Sequence, residues 1–219
     1  MKLIADDLYL LRGFPPNAIN VYLMGNVLVD SATRHAGRRI LRQIEGREVV
    51  AHALTHAHAD HQGAAREICT KLGIPYWVGT RDVEAAETGD VISPQPEHWL
   101  NTLIGKAWPG PGHPVDRQLA EGDEVAGFTV LETPGHSAGH VSFWRESDRT
   151  LVCGDVLNGM NLLTSVPGLH EPLAIFTPDP ARNRESAKRL GELEPALVCF
   201  GHGPPWRDTQ KFVEFCRGL

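Results

Sequence analysis

A stretch of seven residues, Thr55-His56-Ala57-His58-Ala59-Asp60-His61, constrains the chain more than any other part of its sequence. An apolar run at residues 49–54 precedes it and predicts a buried strand, and residues 63–73 predict a helix that ends at glycine. Residues two apart in an extended segment point the same way, so His56 and His58 can bind one ion together. The chain then turns, so the aspartate and the last histidine project in a new direction. The stretch therefore favours two adjacent metal ions over one.

The pattern H-x-H-x-D-H resembles the signature of the metallo-β-lactamase superfamily. Three later segments resemble the remaining motifs of that family, in the same order: T-P-G-H-S-A-G-H at residues 133–140, a strand ending in Gly-Asp at 151–155, and F-G-H-G at 200–203. Together they extend over nearly the whole chain. The resemblance implies an α/β fold, the four-layer αββα sandwich of the metallo-β-lactamase type, formed by a single domain over residues 1–219.

The resemblance also implies a set of seven metal ligands in two groups and a bridge. The first ion is expected on His56, His58 and His136, the second on Asp60, His61 and His202, with Asp155 between them. Imidazole and carboxylate without thiolate suit zinc, iron or manganese. We therefore expect two divalent metal ions as cofactors, Zn²⁺ before iron or manganese, with Asp60 also acting in catalysis by orienting the nucleophile.

Two adjacent metal ions lower the pKa of a bridging water, so that hydroxide exists at neutral pH. The ligand set therefore predicts a dinuclear hydrolase that attacks an ester, thioester or lactone carbonyl. The segment after Asp155 lacks the run typical of the glyoxalase II branch and the tyrosine of the acyl-homoserine lactonase branch. Other branches stay open as alternatives: a mononuclear iron enzyme resembling persulfide dioxygenases, a β-lactamase, or a phosphodiesterase.

Charge and hydropathy indicate the kind of partner. The net charge is −6 and no basic block is present, which argues against a nucleic acid. No apolar run approaches the length of a membrane span, and the first residues lack the apolar core of a signal peptide. The cysteines show no C-x-x-C pairing. We expect a small-molecule substrate and a cytoplasmic location, and we make no prediction of oligomeric state.

Two stretches rich in proline and glycine, residues 89–117 and 156–180, are predicted to be irregular and to determine specificity. Within the first, residues 97–108 carry apolar side chains on one helical face, which predicts a short amphipathic helix. This helix either covers the metal cleft or packs in the core. The side chains predicted to contact substrate are Trp99, Trp108, Met160, Leu162, Leu163 and Phe176.

Three further polar residues have predicted roles outside the ligand set. Asp30 follows a strand and either orients a ligand histidine or caps a turn. His140 lies four residues after His136, but glycines flank this segment, so hydrogen bonding near the site is expected rather than ligation. His52 precedes the first motif on its strand and is expected to be buried.

Overall fold

Two β-sheets packed face to face form the centre of the molecule, in a computed structural model that describes residues 1–92 and 94–219. The strands are β1 (Lys2–Ala5), β2 (Leu8–Leu10), β3 (Tyr22–Met24), β4 (Val27–Val29), β5 (Ala51–Ala53), β6 (Tyr76–Gly79), β7 (Arg117–Leu119), β8 (Glu124–Val125), β9 (Phe128–Glu132), β10 (Val141–Arg145), β11 (Thr150–Gly154), β12 (Asn158–Met160), β13 (Pro167–His170) and β14 (Leu197–Phe200). The helices are α1 (Gly37–Gln43), α2 (Ala65–Leu72), α3 (Val83–Thr88), α4 (Trp99–Ala107), α5 (Pro180–Glu192) and α6 (Thr209–Arg217).

The first sheet has seven strands in the order β1-β2-β3-β4-β5-β6-β7. Strands β1 to β4 pair antiparallel with one another, and strands β4 to β7 pair in parallel. The second sheet has the order β14-β11-β10-β9-β8, in which β11 and β14 form a parallel pair. Parallel strands need crossover connections, and helices form part of these connections on the outer faces.

Alternation along the strands separates the layers of the molecule. In β4, Val27 and Val29 belong to the apolar core between the two sheets, whereas Leu28 faces a second core that includes α1 and α2 residues. In β11, Val152 faces the central core and Leu151 packs with α5 and α6. Successive strand side chains point to opposite faces, so each sheet is buried on both sides. The layers follow the order helix, sheet, sheet, helix, and the predicted αββα sandwich is confirmed.

The helix ends follow local sequence signals. Helix α2 ends at Gly73, whose φ of 64° is a left-handed conformation that glycine adopts without steric cost. Helix α5 begins after Asp179, whose side chain accepts a hydrogen bond from the Arg182 backbone N–H, and Pro180 occupies its first turn.

The prediction that residues 156–180 are irregular is wrong in part, because β12 and β13 form an antiparallel hairpin there. Glycine lies in both strands and proline begins β13, so the alternation that identifies a strand is missing from the sequence. In residues 89–117 the predicted helix is present as α4. All four cysteines are buried free thiols. Within the described part of the chain, no helix has the length and apolar character needed to span a membrane.

Candidate metal centre

The predicted ligands meet at one edge of the sandwich, where β5, β11 and β14 end. The first motif follows β5, Asp155 follows β11 and His202 follows β14. His136 lies on the connection between β9 and β10. Two backbone hydrogen bonds hold these segments together: Val141 N–H donates to the Thr55 carbonyl, and Gly201 N–H donates to the Gly154 carbonyl, both at 2.8 Å.

The structure brings all seven predicted ligands together, in three overlapping groups whose ligand atoms lie within 4.8 Å of one another. The groups are His56 with His58 and His136, His56 with His61 and Asp155, and Asp60 with His61 and His202. Asp155 lies between the two outer groups, since its Oδ2 is 3.5 Å from His136 Nε2 and 3.0 Å from His202 Nε2.

Unpartnered polar atoms show that this cluster fits divalent metal ions. Nε2 of His56, His61 and His136 and Oδ1 of Asp155 are buried and have no hydrogen-bond partner. A buried polar atom without a partner costs free energy, so such a group requires an explanation. Residue 201 is glycine, and a Cβ there would collide with the Asp155 carboxylate. A metal ion would satisfy the donor atoms, and the glycine leaves room for the carboxylate among them.

The outward ring nitrogens of the ligand histidines are bound by neighbouring side chains. His61 Nδ1 donates to Asp30 Oδ2 at 2.9 Å. His56 Nδ1 donates to Thr55 Oγ1 at 3.0 Å, and the Thr55 hydroxyl donates to Asp30 in turn. Each of these bonds places the ring proton on Nδ1 and leaves Nε2 as a free donor to metal. Of its two predicted roles, Asp30 has the orienting one.

His136 and His202 are oriented in the same way. His136 Nδ1 donates to Thr177 Oγ1 at 3.1 Å, and the Thr177 hydroxyl donates to the Leu173 carbonyl at 3.0 Å. His202 Nδ1 donates to the carbonyl of Ala18. The ring nitrogen that faces Asp155 is therefore Nε2 in both residues.

Gln95 is the corresponding neighbour of His58. The amide nitrogen of Gln95 contacts His58 Nε2, and the amide oxygen of Gln95 is buried without a partner. The Gln95 amide either donates a hydrogen bond from its own Nε2 or, if the amide is turned over, accepts one at its own Oε1. Only the turned-over amide, which accepts the proton of His58 Nε2, leaves the lone pair of His58 Nδ1 for a metal ion, because an Nε2 that accepts a hydrogen bond leaves the proton of the neutral ring on Nδ1.

Asp82 connects the two loops that carry the first group of ligands. Its carboxylate is buried and accepts three hydrogen bonds, from Ala57 N–H at 2.8 Å, Ser137 Oγ at 2.6 Å and Gly139 N–H at 2.7 Å. Ala57 separates His56 from His58, and Ser137 follows His136. One carboxylate thus fixes the separation of the three histidines.

Burial and mutual contact determine the protonation of the cluster before any metal binds. Burial, and then the neighbouring imidazoles, hold the pKa of His56 well below its usual range, so this ring is neutral and able to ligate. Burial also lowers the pKa of His136 well below its usual range. For His202 burial disfavours the charge, but Asp155 and Asp60 outweigh it and raise the pKa to about 10. Metal binding at His202 must therefore release a proton.

His140 has the hydrogen-bonding position expected from the sequence. Its Nε2 accepts the Asp155 backbone N–H at 3.1 Å, and its Nδ1 bonds to Thr133 Oγ1 at 2.9 Å. With both nitrogens engaged, neither is free for metal. Burial lowers the pKa of His140 to about 3, so the ring stays neutral.

The six residues predicted to contact substrate differ in their surroundings. Met160 is buried, Leu162 and Phe176 are half-buried, and Trp108 lies at the surface. Trp99 and Leu163 are 71% and 79% exposed. Contact of these six with a substrate stays a prediction.

Sequence reasoning did not identify Asp82 or Gln95. Asp82 had a detectable signal, because it follows the predicted strand at residues 75–79, next to the strand that precedes the first motif. Polar residues after adjacent parallel strands meet at the same edge of the sheet. Gln95 lies between two prolines in an irregular stretch and had no such signal.

Comparison with known proteins agrees with this geometry. Residues 14–202 match the family model described as "Metallo-beta-lactamase superfamily". The chain is 31% identical over 194 residues to the probable metallo-hydrolase YflN of Bacillus subtilis (strain 168), covering 82% of this chain and 71% of that protein. It is 28% identical to a hydroxyacylglutathione hydrolase of Bdellovibrio bacteriovorus, covering 78% of this chain but only 55% of that one.

A solved structure is also similar. TTHA1623 in a di-iron-bound form shares 30% identity and superposes with a TM-score of 0.65, covering 91% of this chain and 88% of that one. Fold, site and family match together define a metal-dependent hydrolase. The chain belongs to the metallo-β-lactamase superfamily.

Proposed function

We propose that the protein hydrolyses an ester, thioester or lactone of a small molecule, with two divalent metal ions held by the seven clustered ligands. The observation that carries the proposal is a set of buried atoms that could ligate metal and have no hydrogen-bond partner, on His56, His61, His136 and Asp155. When bound, the metal ions supply a hydroxide at neutral pH and polarise the carbonyl oxygen under attack.

The protein itself holds the metal-ligating atoms in position and transfers one proton. Hydrolysis breaks the bond from the acyl carbon to oxygen or sulfur, the oxygen of water enters the acid product, and the leaving group takes a proton. The Asp60 side chain is the most exposed of the ligand carboxylates, 18% against 5% for Asp155. Its Oδ2 lies 3.3 Å from His202 Nε2, and in this proposal it orients the nucleophile and passes that proton on.

The relatives support hydrolysis of a carbonyl compound, but they do not identify the substrate of this protein. A hydroxyacylglutathione hydrolase acts on a thioester, and the probable metallo-hydrolase has no substrate in its name. The di-iron form of TTHA1623 supports iron, beside zinc, as the native metal. A mononuclear iron dioxygenase would use three of these ligands, and the segment after Asp155 lacks the arginine-aspartate pattern typical of that branch.

The test combines metal content with turnover. Elemental mass spectrometry should find two zinc or iron ions per chain, and p-nitrophenyl esters, thioesters or lactones should be hydrolysed in a chelator-sensitive reaction. Asp60→Asn should keep the fold and lower kcat by about 100-fold or more. Asp7→Asn, an exposed aspartate, is the matched control. One iron per chain with oxygen consumption on a persulfide and no hydrolysis would replace the proposal by the dioxygenase alternative.

A further inference from the structure

A cavity of about 550 Å³ lies beside the metal centre, within the size range of small-molecule binding sites. Four segments enclose it, the first motif, the segment around α3 with the loop that follows it, the loop after β9 and the start of α5. None of the six residues predicted from the sequence to contact substrate lines it.

The cavity adjoins the first group of ligands. Ala57, between His56 and His58, lines it, and so do the two neighbours of His136, Gly135 and Ser137. Gln95 lines the cavity and also contacts His58, so its amide forms the wall that the cavity and the metal centre share. The cavity and the metal centre therefore adjoin at this amide, and none of the seven predicted ligands themselves lines the cavity.

The walls indicate the chemistry of the occupant. Apolar side chains come from several sides: Ala85, Pro94, Pro134, Ala138 and Pro178. The exposed charges at its rim have both signs, with two arginines, Arg81 and Arg182, and three acids, Glu84, Asp90 and Asp179. The apolar part of the wall favours hydrocarbon, and a rim on which acids outnumber arginines does not attract an anion.

We propose that this cavity binds the acyl chain of the substrate, an uncharged chain of medium length such as hexanoyl, while the acyl carbon lies at the metal centre. The inference rests on the proposed hydrolase function and names the substrate class of that same site. Rigid proline and alanine walls lose little side-chain entropy when a chain is bound, so each buried methylene should increase reactivity by about fourfold.

The experiment measures chain-length preference in the metal-loaded protein. Wild type should show kcat/KM rising from acetyl to hexanoyl p-nitrophenyl esters, and hexanoate should inhibit competitively. Ala85→Leu and Ala138→Phe fill the cavity from different walls and should lower kcat/KM for the hexanoyl ester at least tenfold, with the acetyl ester changed less than twofold. Ala181→Leu, at an exposed position of α5 outside the cavity, is the control and should leave the preference unchanged.

The outcomes separate this inference from the hydrolase proposal. Equal losses on acetyl and hexanoyl esters, or noncompetitive inhibition by hexanoate, would overturn the acyl-chain assignment while hydrolysis stands. If no ester is hydrolysed, calorimetry with hexanoate still tests the cavity. Binding that Ala138→Phe abolishes and Ala181→Leu keeps would support an acyl site, and absence of binding to wild type would overturn it. Thermal unfolding shows whether each variant is folded.

Discussion

Ser137 donates a 2.6 Å hydrogen bond to the buried Asp82 carboxylate, and this contact joins residues 55 positions apart in the chain. The same carboxylate oxygen accepts the Ala57 N–H at 2.8 Å. The loop of His56 and His58 is thereby tied to the loop of His136 through one side chain. Asp82, which is not itself a predicted ligand, therefore sets the geometry of the first metal group.

We expect Asp82→Asn to weaken the first metal group without unfolding the protein. The amide keeps one acceptor and loses the other, and a buried donor without its acceptor costs about 1–3 kcal/mol. Metal affinity, measured by competition with a chromophoric chelator, should fall, and the Tm should drop by several degrees. Glu84→Gln removes an exposed acid nearby and should change neither. Unaltered metal affinity in Asp82→Asn would contradict the positioning role.

Asp30→Asn should weaken the second metal group more than the first, because Asp30 contacts His61 directly and His56 only through Thr55. Asp30 accepts the His61 Nδ1 proton and also the Thr55 hydroxyl and backbone N–H. An amide can satisfy only part of these donors, and loss of such an orienting partner typically costs 10–100-fold in metal affinity. After dialysis against a weak chelator, the variant should retain about one ion per chain while wild type retains two. Retention of both ions would refute the prediction.

The sequence identifies the ligands better than it identifies their supports. The first motif is local, so its spacing alone predicts that His56 and His58 lie side by side. The later ligands follow strands that their apolar runs predict from the sequence. Contacts such as that of Asp82 with Ser137 require β6 to lie beside β5. They also depend on loop conformations, which hydrophobic periodicity does not predict. The hairpin of β12 and β13 escaped prediction because glycine and proline remove the alternation that marks a strand.

Gln95→Leu should lower the affinity of the first metal group, because it removes the partner of His58 Nε2 and leaves that ring free to rotate. We expect a loss of about 10–100-fold in chelator competition. Gln95→Glu keeps an acceptor of similar length and should recover most of the affinity. Gln118→Leu, an exposed position in β7, controls for the added hydrophobic side chain. If Gln95→Leu and Gln95→Glu weaken metal binding equally, the hydrogen bond is not the cause.

His52→Leu should change how stability depends on pH. His52 is buried beside Tyr76, and its Nδ1 donates to the Leu28 carbonyl at 3.1 Å. Burial lowers the pKa of His52 to about 4. The charge of Asp30 acts to raise this pKa, and His113 lowers it further. The unfolded histidine titrates near pH 6.5, so between these values the unfolded chain binds a proton that the native protein does not. The native state therefore loses stability as the pH falls from about 6.5 to 4, by roughly 3 kcal/mol in total.

Urea denaturation of the metal-stripped protein at pH 7.5, 6, 5 and 4.5 would measure this effect as a difference between variants. At pH 7.5 wild type should be the more stable protein, since His52→Leu loses the bond to Leu28. The difference should shrink as the pH falls and reverse near pH 4.5, because leucine carries no proton-linked penalty. His35→Gln removes an exposed histidine and controls for composition. A difference that stays constant across the four pH values would show that His52 does not titrate between the folded and unfolded states, and that another group causes the loss of stability in acid.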